Sequence, residues 1–219
     1  MELFSFFGKK EKPLKPNHPP TNKTRQMDAS APSLGIYNIY QACQYGDVEK
    51  TKQFITEGAA FDYDNAGLFP LHYLMIAKTS VENKRAILDL LHTLPDFNIN
   101  QRSVYESVAA IELAATIEDQ EQGISDILLL LSNGADPYIF DPEKNNILHL
   151  ALYEQRFGTA YYLISKMTEL CSLKNVHNES PIDLIYKIKA ENNPDTQQAL
   201  SILIDRLNRL GIPSEEAAE

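Results

Sequence analysis

Four short stretches decide the reading of this chain: Phe69-Pro70-Leu71-His72, Ala109-Ala110-Ile111-Glu112, Asn146-Ile147-Leu148-His149 and Ser180-Pro181-Ile182-Asp183. Aligned on their third residues, they lie 40, 37 and 34 residues apart, and Ile39 opens an earlier unit 32 residues before Leu71. Self-similarity at a period near 33 residues, stretched by insertions, marks a repeat architecture. A second landmark keeps step with the first. Glu57-Gly58-Ala59-Ala60 and Asn133-Gly134-Ala135-Asp136 each follow a helical stretch, the latter following the leucine run Ile124–Leu131. In the second unit Arg85–Leu91 is the helical stretch and Leu94–Asn98 its end. Glycine after such a helix takes a left-handed position at little steric cost.

The residue types fit stacked helix pairs. Pro70 and Pro181 suit the first turn of a helix, where a missing N–H costs least. Ala42, Ala114 and Ala151 let paired helices approach, and leucines on the second helices fill the layer between units. Each unit buries its faces only against its neighbours. The last stretch, about Thr196–Leu210, mixes Leu200, Leu203, Leu207 and Leu210 with Asp205, Arg206 and Arg209, as an amphipathic cap would.

These residues resemble the ankyrin repeat, whose signature holds T-P-L-H followed by alanines and then G-A-D after the second helix. Phe69–His72 keeps three of the four signature residues, Ser180–Asp183 is a conservative version, Asn146–His149 lacks the proline, and Ala109–Glu112 lacks both Pro and His. The resemblance implies an all-α ankyrin-repeat solenoid of about five helix-turn-helix units with short β-hairpin loops and a C-terminal capping helix. The expected organisation is a flexible, basic, Pro-rich tail over 1–33, the repeat domain over 34–210 and an acidic tail over 211–219. In ankyrin repeats the signature histidine holds the junction between hairpin and helix by hydrogen bonds, which is the role implied for His72 and His149. The third unit lacks Pro and His and has the longest loop, so it is expected to be the weakest joint.

Composition narrows the function. The formal charge is -10, with +3 on residues 1–30 and therefore -13 on the rest. Nucleic acid is a poor partner for such a surface. No uninterrupted apolar run is long enough to span a membrane, and Met1–Phe7 carries an acid where a signal peptide has a base. The run Leu3, Phe4, Phe6 and Phe7 is left open between docking on the body, weak membrane contact, export and no role.

No motif for chemistry stands out. There is no H-E-x-x-H, C-x-x-C, glycine-rich phosphate loop or G-x-S-x-G. No catalytic, cofactor-binding or metal-ligating residue is assigned, and no cofactor is expected. Cys43 reads as a small buried filler and Cys171 as partly exposed. Asp119–Gly123 reads as a solvated turn, and Asp136 and Asp183 as residues that stabilise turns or helix starts.

The leading expectation is a non-catalytic module that binds a protein partner through a concave face and loop tips. Its candidate contacts are Gln44, Tyr45, Asp64, Asn65, Val104 and Tyr105, and further along Phe140, Lys144, Glu154, Gln155 and Arg156. Degenerate repeats with such tails look like secreted effectors of intracellular bacteria of the Legionella and Coxiella kind. That likeness implies action on a host protein in the cytoplasm of the host cell, with Glu215–Glu219 similar to a C-terminal export signal. Two other readings stand beside it: a small enzyme or enzyme subunit with a pocket framed by the repeats, and an adaptor linking two partners.

Overall fold

The computed structural model describes residues 35–191 and 193–212, so the expectations for the N-terminal segment and for the export signal fall outside it. The described residues from Ile36 onward belong to one compact unit. Its described part is all-helical. The helices are α1 (Ile39–Tyr45), α2 (Val48–Thr56), α3 (Pro70–Ile76), α4 (Val81–Leu91), α5 (Ala110–Thr116), α6 (Gln120–Ser132), α7 (Ile147–Tyr153), α8 (Phe157–Lys166), α9 (Pro181–Ala190) and α10 (Pro194–Arg209), with a 3-10 turn at Thr168–Ser172.

Local chemistry sets the ends of these helices. Asn38, Asp47, Ser80, Asp119, Asn146 and Ser180 each accept a backbone N–H of the first turn through their side chains. Asp119–Gly123, read as a solvated turn, is therefore the N-cap and opening turn of α6. Gly46 closes α1 at φ 67°. At the end of α10, Ile212 N–H reaches back to Leu207 O.

The packing forms two rows. The first helices meet in order, α1 on α3, α3 on α5, α5 on α7 and α7 on α9. The second helices do the same, α2 on α4, α4 on α6, α6 on α8 and α8 on α10. A continuous apolar core runs through both rows, from Ile39 and Leu71 through Ile111, Ile127 and Leu148 to Ile185 and Leu203. The connections differ from the expected β-hairpins. Among the described residues only one isolated bridge, Arg102 with Ala109, has β pairing. The side chains of Asp64, Asp141 and Asn175 take up N–H groups that a hairpin ladder would have used.

Candidate functional site

Three of the loops leading into the first-row helices share one design. Asp64 N–H donates to Leu68 O at 3.1 Å, Asp141 N–H to Asn145 O at 3.0 Å and Asn175 N–H to Glu179 O at 3.0 Å. The Oδ1 of each leading residue also accepts two backbone N–H groups: those of Ala66 and Leu68, of Glu143 and Asn145, and of His177 and Glu179. The fourth residue of each turn has positive φ: Gly67 at 76°, Lys144 at 60° and Asn178 at 62°. In the loop before α5 the leading residue is Ser103 and the turn is longer. Ser103 N–H donates to Val108 O, Ser103 Oγ accepts from Val108 N–H, and the positive φ falls at Ser107. Neighbouring loops are tied side by side. Val104 N–H donates to Gly67 O at 2.8 Å and Val176 N–H to Glu143 O at 2.9 Å.

Beneath the loops, the third residue of each first-row helix serves the helix start. His72 Nδ1 accepts Phe69 N–H at 3.2 Å, while Nε2 lies 2.8 Å from Val108 O in the next loop. An imidazole protonated on Nε2 satisfies both contacts. His149 repeats this with Asn146 N–H at 3.2 Å and Glu179 O at 3.0 Å. Burial holds both imidazoles below their ordinary pKa, hence neutral near pH 7. Asp183 accepts Ser180 N–H at 2.7 Å.

At the same position of α5, Glu112 accepts Ala109 N–H at 2.6 Å but has no proton for the next loop. Arg102 supplies that part. It grips both Glu112 oxygens at 2.8 and 2.9 Å, donates to Ser107 O at 2.6 Å and also donates to Phe140 O. Burial pushes the Glu112 pKa up, against the pull of Ala109 N–H and Arg102.

The expected contact residues divide between two places. Val104 and Tyr105 sit exposed on the loop before α5, and Phe140 on the loop before α7. The backbones of Val104 and Phe140 are both tied into the loop row, through Gly67 and through Arg102. The Tyr105 ring lies over Gly67. Asp64 belongs to the same row, but its carboxylate holds the turn and accepts Tyr73 Oη–H at 2.7 Å. Asn65 is exposed beside it, and Lys144 occupies a turn position of positive φ. Gln44 and Tyr45 instead lie at the far end of α1. Glu154, Gln155 and Arg156 lie at the far end of α7, with Arg156 Nε donating to Thr116 O at 3.0 Å. A seven-residue helix separates the loop row from that second group by about 10 Å.

Other chemistry lies inside. Lys84 Nζ, wholly buried, donates to Asp126 Oδ2 at 2.6 Å and to Met75 O at 2.9 Å. Gln122 holds the other Asp126 oxygen at 2.9 Å. Burial lowers the Lys84 pKa and raises that of Asp126. The sequence carries a signal for this pair, because both charges fall on buried helical stripes, Lys84 with Ile87, Leu88 and Leu91, and Asp126 with Gly123, Ile127 and Leu130. The link between Arg102 and Glu112 has no such periodic signal.

Cys171 is buried rather than partly exposed, because the 3-10 turn packs it into the core. Burial lifts the Cys43 thiol to about 12 and the Cys171 thiol to about 11. Among the described residues no three His, Cys, Asp or Glu side chains converge in a way that could hold a metal.

The chain is similar to two curated proteins. It is 28% identical over 144 residues to palmitoyltransferase AKR1 of Lachancea kluyveri, covering 64% of this chain and 18% of that protein. It is 25% identical over 180 residues to the putative palmitoyltransferase ZDHHC13 of Danio rerio, covering 78% of this chain and 24% of that protein. The chain therefore spans about a fifth to a quarter of the length of these relatives. No family model matches it.

These findings correct the leading expectations. The relatives are named for an acyl-transfer activity, not as ankyrin-repeat effectors of intracellular bacteria, and those names conflict with the reading as a non-catalytic interaction module. Secretion into a host cytoplasm loses its support for the same reason. No helix among the described residues is long and apolar enough to cross a membrane.

Proposed function

We propose that this chain is a subunit of a palmitoyl-transferring enzyme, in which a stack of helix pairs holds the acceptor in place while the transfer step is carried by another part of the enzyme. The observation that carries the reading is the likeness to two proteins from different organisms, both named palmitoyltransferases, over most of this chain. The two helix rows support a finer reading of the fold, a solenoid of the ankyrin-repeat kind over 34–210, with residues 1–33 and 211–219 as flanking segments. The thiols agree with the division of labour. A nucleophilic cysteine needs thiolate at working pH, and Cys43 and Cys171, lifted to about 12 and about 11, hold almost none.

The test is metabolic labelling with an alkynyl palmitate in cells that lack the chain. A defined subset of proteins should lose label, and the full chain should restore it. Cys43→Ser and Cys171→Ser should restore it equally well. An unchanged set of palmitoylated proteins would overturn the reading.

A further inference from the structure

The loop row presents apolar side chains on a stiff frame. Tyr63, Val104 and Tyr105 are 46%, 47% and 59% exposed, and Tyr138, Phe140 and Val176 are 43%, 39% and 53% exposed. They stand on adjacent loops, because Val104 is bonded to Gly67, Phe140 to Arg102, and Val176 to Glu143. The turns beneath them are fixed by side-chain-to-backbone hydrogen bonds, so anchors placed here lose little freedom when they are covered. Aromatic side chains on such a frame are the residue type that carries binding energy.

The exposed charge around them is mostly acidic. Asp62, Glu106, Asp136 and Glu143 are exposed on the same loops. Lys144 on the Asp141 turn and Lys174 beside the Asn175 turn are the exposed lysines of these loops, fewer than the four acids, whereas the Arg102 guanidinium is spent on Glu112 and two carbonyl oxygens. The body as a whole adds to this field, with a chain charge of -10.

We infer that this loop row docks a basic peptide segment bearing apolar anchors, presented by the acceptor protein; the identity of the occupant as an acceptor rests on the enzyme reading above. Lysine or arginine side chains complement the loop carboxylates and speed encounter. Apolar side chains between them cover Tyr105 and Phe140. An anionic lipid surface has the wrong charge for this row.

The probe is a fluorescein-labelled synthetic peptide of repeated Lys-Leu-Lys-Phe, titrated with the full chain and followed by anisotropy, beside a version with Glu in place of Lys. The Lys peptide should bind and the Glu peptide should not, and high salt should weaken binding. Tyr105→Ala with Phe140→Ala should raise Kd about tenfold or more. Glu106→Gln with Glu143→Gln, both at the surface, should weaken binding and flatten its salt dependence without altering the melting curve. Asp89→Asn with Glu121→Gln, on α4 and α6, should leave Kd unchanged. Equal binding of both peptides, an equal loss from the α4 and α6 variant, or a preference for phosphatidylserine vesicles would each overturn the inference. Acyl transfer is not the readout, so failure of the enzyme reading and failure of this one are told apart.

Discussion

At the start of α3 and again at the start of α7, a neutral imidazole ties the helix to the next loop. At the start of α5 the same two duties fall to a carboxylate and a guanidinium. His72 and His149 each accept one N–H and face one carbonyl oxygen. Glu112 can only accept, so the donor comes from Arg102, ten residues earlier in the loop. The third unit was expected to be the weakest joint because it lacks Pro and His. Its junction is held by Arg102, which grips Glu112 and also donates to Ser107 O and Phe140 O. The lesson is chemical: what a repeat keeps is the satisfaction of two backbone groups, and more than one pair of side chains can provide it.

The units that meet through His72 are also joined in the second row by Lys84 and Asp126, both wholly buried. Breaking that joint gives the largest expected effect. Asp126→Ala leaves an ammonium in the core with one carbonyl partner and should cost about 3–5 kcal/mol in urea unfolding. Lys84→Met with Asp126→Leu removes both charges and should recover most of that loss. If the double variant is as unstable as Asp126→Ala, the joint works by shape rather than by charge pairing.

Arg102→Ala tests the junction itself. It strands Glu112, whose side chain is 1% exposed, and removes the tie to Phe140 O. The expected loss is about 2–3 kcal/mol, and hydrogen exchange at Ser103, Val104 and Val108 should quicken. Should the stability stay within experimental error, the α5 junction would be carried by Ser103 and the isolated bridge alone.

The imidazole junctions carry a pH signature that the α5 junction does not share. His72 and His149 are held below 6.5 by burial. As the pH falls below that value the unfolded chain takes up protons that the fold refuses, so stability is full above about pH 6.5 and declines on acidification. Glu112, raised by burial, acts with the opposite sign, its contribution being full at low pH and lost as the pH rises through its folded value. The histidine part is therefore read as a difference. His72→Gln with His149→Gln should be less stable than wild type at pH 7 by about 1–2 kcal/mol, and the gap should narrow by pH 5. A gap that widens would mean that the imidazoles are charged in the fold.

Much of the fold was legible because periodic apolar residues and helix-start residues are local signals. Pro70, Pro181, Ser180 and the histidines at 72 and 149 announce helix starts in any context. The α5 junction was not legible, because nothing local links Arg102 to Glu112 or to a carbonyl on the next loop. The loops read as hairpins because the repeat resemblance implies them. The Asx chemistry was written in Asp64, Asp141 and Asn175, but it shows only when the three are aligned. The candidate contacts are the residues of the loop tips and first helices that the stacking pattern leaves free, which takes in Tyr105 and Phe140 in the loop row. That choice also takes in Glu154 and Arg156, which cap and tie the far end of α7. Asp64 was taken for a contact because a carboxylate in a loop looks free in sequence. Three hydrogen bonds on it are visible only in space.

The smallest effects concern the turn position that the three matching loops share. Gly67 is the glycine among them, at φ 76°, and a Cβ there would lie 2.6 Å from the Tyr105 ring. Gly67→Ala therefore meets two obstacles, a left-handed backbone and the ring, and should cost about 1–2 kcal/mol from the backbone alone. Tyr105→Ala in the same chain removes the ring but not the backbone cost, so it should rescue only part of the loss. Lys144, at φ 60°, already bears that cost. Lys144→Gly should raise stability by about 0.5 kcal/mol, the relief of strain being partly offset by the greater freedom glycine gives the unfolded chain. Opposite signs at these two equivalent positions, read from thermal midpoints in one buffer, would establish that the loops share one backbone design. A loss at both would mean that the Lys144 side chain contributes more than its turn geometry costs.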